Sequence, residues 1–371
     1  MADAPILVLN AGSSSLKFGL YDRISAAGLA HGQISRIGAQ ARLHFGATES
    51  DISAKDHSAA LRAALARLGE VSGPPSLVGH RVVHGGEMQA PALVTPDIHA
   101  QISAASPMAP LHNPPALTVI DTMQALDPGL PQIAVFDTAF HAGNPAEATT
   151  FALPEPLRQK GLRRYGFHGL SYASILRRFT DIASQPLPNR LLVFHLGAGS
   201  SLAAILNGRG VATTMGFSPL DGLTMGTRAG SLDPGLLLYL LKKERMQLDE
   251  LEHLLNHESG LKALAGDGDM ESLLRRDDSA AKFAVSHYVY WAARHAGSMI
   301  AAMQGLDGIV FTGGIGENAK AIRSRILERL RWTRIRPERQ VWVIPCDEEG
   351  EIVQAVKGFA PLPAKLDPSL R

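Results

Sequence analysis

Three polar clusters, each placed where an apolar run ends, carry the side chains with the clearest chemical use. Asn10, Ser13, Ser15 and Lys17 lie within VLNAGSSSLKF, Asp137 follows the run 132–136, and His195 stands just before Gly197, Ala198 and Gly199. Hydroxyls and backbone amides donate to phosphate oxygens, a lysine adds a point charge, and an aspartate holds Mg²⁺ through water. The set therefore suits a polyphosphate and its metal. Two arginines suit the other reactant: Arg81 in GHRVVHGGE and Arg228 in GLTMGTRAGSLDP sit in Gly- and His-rich stretches rather than on charged helical faces. A pair of guanidinium groups can clamp a carboxylate and offset the charge of a phosphoryl group in flight. His168, in RRYGFHGLS, adds a third donor. Taken singly, each has a plainer account: serine loops cap turns, an aspartate after a strand caps a helix, an arginine pairs with the nearest carboxylate, and a histidine in an aromatic turn is structural. The constellation carries the argument, not any one member.

These side chains need elements that end in loops. The stretch 6–10 is apolar and β-prone, breaks at Ala11-Gly-Ser-Ser-Ser15 and resumes over 16–21, which predicts a hairpin with a polar tip. The pattern returns at 191–195: LLVFHLGAGSSLAAI can be laid on ILVLNAGSSSLKFGL with one residue inserted in the loop. Such a repeat implies two related halves. Strands are predicted at 76–83 and 132–136, helices at 58–68, 116–126 and 282–303, and a strand over 307–311 that runs into Gly313-Gly-Ile-Gly316. Alternating strands and helices make the fold class α/β. A helix pattern begins beyond Glu317 and Asn318, so the glycine loop is expected at a helix N-terminus, where free N–H groups suit a phosphate. A tight connection that needs glycine for steric reasons explains that loop equally well.

Composition narrows the function further. A chain of 371 residues favours two domains. A formal charge of +1 and the lack of a long Lys/Arg block exclude a general nucleic-acid or anionic-membrane partner. Cys346 is the only cysteine, so no intrachain disulfide is possible and a reducing, cytoplasmic setting is expected. No signal-peptide pattern opens the chain and no apolar run approaches a membrane span. The P-loop, dinucleotide-binding and protein-kinase motifs are all missing, and His253 and His257, four apart, lack the glutamate of a zinc protease between them.

The stretches VLNAGSSSLKF, GHRVVHGGE, APLHNPP, VFDTAFH, RRYGFHGLSY, HLGAGSS, MGFSPLDGLTMGTRAGSLDPG and FTGGIGEN resemble, in order and wording, those of the acetokinase (acetate kinase) family, and they cover nearly the whole chain. The resemblance implies a two-domain actin-like (ribonuclease H-like) fold, with a duplicated β-β-β-α-β-α-β-α core and an interdomain cleft. One domain would comprise 1–141 with a returning segment 349–371; the other, 142–348, would bind nucleotide and form a homodimer. It implies reversible phosphoryl transfer from ATP to acetate, giving acetyl phosphate and ADP in a direct in-line step with Mg²⁺, or Mn²⁺ as the alternative. Asp137, His168, Arg228, Arg81 and His112 would be catalytic, and Asn10 and Glu348 would hold the metal. Arg81, Val83, Leu111, Phe167 and Pro219 would bind the short acid. Lys17, Ser13, Ser15, His195, Leu196, Gly197, Ala198, Gly199, Asp269, Gly314, Ile315, Gly316, Glu317 and Asn318 would contact the nucleotide.

Four features depart from the family pattern. Glu271, in Asp269-Met270-Glu271, is an anion where the family has an arginine, and Ala198 replaces an asparagine. The segment 326–343 is short, and Cys346-Asp-Glu-Glu349 begins with cysteine in place of threonine. Glu271 leaves open the same chemistry with a non-ATP donor such as pyrophosphate, and Val83 and Leu111 do not fix the pocket depth, which leaves open a propionate or butyrate kinase of the same family. A slow nucleotide-dependent switch on the same fold is the rival from another class, and the presence of Arg81, Arg228, His168 and Asp137 together argues against it.

Overall fold

Ile6–Ala11 (β1) is a run of apolar side chains ending in Asn10 and Ala11, and all six residues are buried, as a strand covered on both faces requires. The turn at Gly12 folds the chain back into Ser15–Tyr21 (β2), antiparallel to β1, and Gly28–Ser35 (β3) continues the meander. Arg42–Phe45 (β4) and Thr48–Asp51 (β5) extend it to a solvent-exposed edge. After the helix His57–Gly69 the chain returns as Leu77–Val82 (β6), parallel to β1, and a short strand Ala92–Leu93 (β7) precedes the helix Asn113–Leu126. Gln132–Phe136 (β8) then pairs parallel to β6.

The second half repeats this plan. Arg190–Leu196 (β9), Ser200–Leu206 (β10) and Arg209–Thr213 (β11) form an antiparallel meander, while Gly308–Thr312 (β12) and Val341–Val343 (β13) add parallel to β9. The order β3-β2-β1-β6-β8 in one sheet and β11-β10-β9-β12-β13 in the other has the same sequence of antiparallel and parallel neighbours. The duplicated α/β core expected from the repeat is therefore present. The hairpin register differs from the expectation: Asn10 pairs with Lys17 but His195 pairs with Ser201, so the second hairpin closes one residue tighter instead of one residue longer. Backbone pairing, not the likeness of Gly and Ser letters, sets the register.

The computed structural model describes residues 4–359. The chain divides into two compact units: one runs to Ala139 and resumes at Asp347, the other spans Phe140–Cys346. In the first, Leu7, Leu9, Phe18 and Leu20 of the sheet pack with Leu61, Ala64 and Leu68 of the helix His57–Gly69. In the second, the 24-residue helix Ser279–Ala302 presents Ala284, Tyr288, Ala292 and Ala296 to Phe194, Leu202 and Phe311. The opposite face is covered by Gly169–Ala183, whose Tyr172, Ile175 and Phe179 recur at helical spacing. Each buried Leu, Ile or Phe among them contributes about 1.5–3 kcal/mol relative to leaving it exposed. The expected glycine loop before a helix is instead a helical turn itself, Gly313–Asn318, with Thr312 at its N-cap position. Gly313 starts it at φ +76°, with its backbone against the carbonyl of Leu196, where a β-carbon would sit 2.7 Å away. Among the described residues no helix is long and apolar enough to cross a membrane.

Candidate active site

In the first unit, β1, β6 and β8 run parallel side by side, with Leu9 opposite His80 and Arg81 opposite Val135. Asn10 and Arg81 therefore lie near the carboxyl ends of neighbouring strands, and Asp137 lies one residue past β8. Such ends are where open α/β sheets hold ligands. Arg81 is the hub of this cluster. Its Nη2 donates to Asp137 Oδ2 at 2.7 Å and its Nε to both carboxylate oxygens at 3.2 and 3.3 Å. Its Nη1 donates to Asn10 Oδ1 at 3.3 Å and forms an ion pair with Glu348 Oε2 at 3.0 Å. The Asp137 side chain is only 1% exposed, so its charge relies on this guanidinium. Glu348 opens the helix Glu348–Val356, which Asp347 caps by accepting from the amide of Gly350.

Next to Glu348, burial pushes the Glu349 carboxyl up, with help from the charges of Glu348 and Asp347 and against the pull of Lys17 and Arg81. Asp137, Glu348 and Asn10 each present an oxygen to Arg81, and carboxylate and amide oxygens are the hard donors that Mg²⁺ or Mn²⁺ takes. Among the described residues no group of three or more His, Cys, Asp or Glu side chains could hold a metal.

Ser13 and Lys17 are exposed and Ser15 half-buried around the β1–β2 turn, with Lys17 directly opposite Asn10. Val83 is buried, while Leu111 and His112 are half-buried before the helix Asn113–Leu126, His112 standing at its N-cap. The residue that joins these two motifs was missed. Asn113 is fully buried; its Oδ1 accepts from the amide of His84 at 3.0 Å, and its Nδ2 donates to the carbonyls of His84 and Ile102. Thr138 Oγ1 likewise accepts from the amide of Gly85. An asparagine between His and Pro in the sequence gives the only hint of this brace.

In the second unit, His168 has φ 57° at the N-cap position of Gly169–Ala183, a left-handed conformation uncommon for a residue other than glycine. The ring stacks on His195 at 4.1 Å between centroids, 18° from parallel. His168 Nδ1 lies 2.8 Å from Ser201 Oγ and His195 Nδ1 lies 2.9 Å from Ser171 Oγ. Gly199 lets the Nε2 edge of His168 and the guanidinium of Arg228 approach its backbone; a β-carbon there would lie 3.2 Å from the first and 3.1 Å from the second. Arg228 Nη1 donates to the carbonyl of Pro219 at 2.8 Å, and burial pulls its guanidinium down to about 10, so it stays charged at neutral pH. Phe167 is buried and its carbonyl meets His141 Nε2 at 3.0 Å.

A cavity of about 780 Å³ opens in the same unit, lined by Gly197, Ala198, Asp269, Glu271, Gly314, Ile315 and Asn318, and also by Gly226, Thr227 and Gly268. Gly226 and Thr227 were missed although they adjoin Arg228 in the same motif. Asp269 caps the helix Met270–Arg275, and Glu271 pairs with Arg275 one turn on. Other expected nucleotide contacts have different positions. The Leu196 side chain belongs to the core, because alternation along β9 turns it away from the face that holds His195. Glu317 Oε1 accepts from the amides of Gly313 and Cys346, both at 2.9 Å, so its side chain ties two loops together and is not part of the cavity lining. Gly316 is buried, and its carbonyl accepts from Arg323.

The chain is similar to known proteins over most of its length. The profile of the Acetokinase family matches residues 5–354. An acetate kinase of Rhodopseudomonas palustris (strain ATCC BAA-98 / CGA009) is 44% identical, over 95% of this chain and 97% of that protein. Among solved structures, Porphyromonas gingivalis acetate kinase is 32% identical with a TM-score of 0.84, and a propionate kinase from Francisella tularensis subsp. tularensis SCHU S4 is 33% identical with a TM-score of 0.87. Each aligns over 95% of this chain and 98% of its own. A match of that length, with the actin-like α/β duplication seen in both sheets, leaves one conclusion: the chain belongs to the acetokinase family.

Proposed function

We propose that this chain moves a phosphoryl group between ATP and acetate, reversibly and by direct in-line transfer, giving acetyl phosphate and ADP. The observation that carries this reading is Arg81, a guanidinium held by Asp137, Glu348 and Asn10 where β1, β6 and β8 end. A carboxylic acid with a pKa of about 4 is already ionised at neutral pH, so the nucleophile needs no general base. Asp137, with both oxygens engaged by Arg81, suits the role of arginine and metal orienter. Asn10, Asp137 and Glu348 would hold Mg²⁺ or Mn²⁺, which on binding neutralises charge on the phosphate oxygens. Arg81 and Arg228 offset the repulsion between acceptor and phosphoryl anions, and His168 donates to the phosphoryl group. Val83, Leu111, Phe167 and Pro219 contact the acyl group and His112 supports them. Ser13, Ser15 and Lys17 approach the phosphates, and the cavity beside Gly197, Asp269 and Asn318 takes the nucleoside.

The unit Phe140–Cys346 is then the nucleotide-binding half, and a second copy of the chain covers its exposed apolar helix. In that helix, Pro234–Lys242, no residue is buried, and Leu236, Leu238 and Tyr239 are each about half exposed. A cytoplasmic setting agrees with the single thiol.

The structural likeness to a propionate kinase favours a second reading in which a three-carbon acid is preferred. One methylene is worth about 1–3 kcal/mol of discrimination, so relative kcat/KM separates the two. The test is purified protein with Mg²⁺ and acetate, propionate or butyrate, with ATP, GTP or pyrophosphate as donor and acyl phosphate trapped by hydroxylamine. Acetyl phosphate formed fastest from ATP supports the reading. Folded protein that yields no acyl phosphate with any donor overturns it.

A further inference from the structure

We propose that two hydrogen-bond relays, Tyr172 to Ser201 to His168 and Cys346 to Ser171 to His195, hold both stacked imidazoles as the Nε2–H tautomer, which makes Tyr172 and Cys346 positioning residues. The inference deepens the proposed reading and rests on it for the role of His168.

The argument is an accounting of protons. Tyr172 is fully buried and its hydroxyl is hydrogen-bonded to Ser201 Oγ, itself fully buried. Burial also pushes the Tyr172 phenol above its ordinary range, so it keeps its proton at any working pH. That proton is satisfied by donation to Ser201. Ser201 then has its own proton to place, and its other partner is His168 Nδ1 at 2.8 Å. Nδ1 is thus an acceptor, and a neutral imidazole that accepts at Nδ1 carries its proton on Nε2.

The second relay has the same logic. Cys346 Sγ donates to Ser171 Oγ at 3.4 Å, and Ser171 Oγ faces His195 Nδ1 at 2.9 Å. Ser171 and Tyr172 are consecutive residues in the first turn of Gly169–Ala183, so one helical turn addresses both rings. Two rings 4.1 Å apart at a helix N-terminus also disfavour charge on both, since like charges repel each other and the positive end of the helix dipole. The consequence is chemical: the edge of His168 beside Gly199 and Arg228 is an N–H donor before any anion arrives, so no proton has to be rearranged when one does.

The experiment is ¹⁵N–¹H correlation of the imidazole nitrogens in protein labelled with ¹⁵N-histidine, with the two rings assigned by His168→Asn and His195→Asn. The wild type is expected to show Nε2–H for both. Tyr172→Phe, which removes the hydroxyl and keeps the ring, is expected to let His168 take up Nδ1–H. It should lower kcat about tenfold, the worth of one such hydrogen bond, with the KM for both substrates within about twofold. Ser201→Ala, which removes the middle of the relay, is expected to release His168 in the same way. Cys346→Ala is expected to release His195 and leave His168 unchanged. An unchanged Nε2–H signal from His168 in folded Tyr172→Phe and Ser201→Ala overturns the relay, even if kcat falls. If His168→Asn keeps full kcat, the catalytic reading of His168 fails, while the tautomer signals still decide the relay.

Discussion

The two hairpin tips, β1–β2 and β9–β10, occupy the same place in two copies of one sheet and differ in how their polar groups are paired. At the first, Asn10 faces an exposed Lys17 across the strands, and the neighbouring strand ends supply Arg81 and Asp137. At the second, the matching pair is His195 and a fully buried Ser201, and the chemistry runs through hydroxyls, a thiol and neutral rings. A duplicated backbone therefore fixes where functional groups emerge and leaves their charge to the sequence. The first tip suits a metal and anions through ion pairing; the second suits an anion through oriented donors.

Breaking the charged cluster is expected to have the largest effect. Arg81→Ala should cost about 10²–10³ in kcat or more, on the scale of a lost charge-stabilising donor. It also strips the buried Asp137 of its counter-charge, and truncating one partner of a buried pair costs about 3–5 kcal/mol, so thermal unfolding should show a lowered Tm. Arg81→Ala with near-normal turnover would remove the hub role. In the second unit, Arg228→Ala should lower kcat by about 10²–10³ as well, with a smaller change in Tm, because Arg228 Nη1 donates to the Pro219 carbonyl and not to a buried carboxylate. Equal Tm losses in the two variants would erase the contrast between the tips.

Asn113→Ala tests the brace under the first site. It leaves the His84 amide without its buried acceptor, so urea unfolding should register about 1–3 kcal/mol of lost stability, with the midpoint shifted and the slope unchanged. The smallest effect concerns pH. Burial raises the Glu349 carboxyl, so folding favours its protonated form. The associated stability is present below the unfolded pKa of about 4.3 and is lost as pH rises through the folded value. Glu349→Gln should therefore raise Tm at pH 8 and leave it nearly unchanged at pH 4. A Tm gain that is equal at both pH values would place the strain elsewhere.

Local pattern determined much of this protein. The apolar runs that become β1, β6, β8, β9 and β12, the duplication, and the polar residues at strand ends could all be read from spacing, because a strand needs only alternation or continuous apolarity and a turn only its glycine. What pattern could not show were relations between distant residues. Arg81 meets Asn10, Asp137 and Glu348 only after three strands and a returning helix have assembled. Glu317, in a glycine-rich motif that suggests phosphate binding, spends its carboxylate on two backbone amides. Tyr172, which reads as one more core aromatic on an amphipathic helix, carries the proton that orders Ser201 and His168. Hydrophobic periodicity is written along the chain, whereas the partner of a buried hydrogen-bonding group is chosen by whichever segment packs against it, and only the tertiary structure decides that.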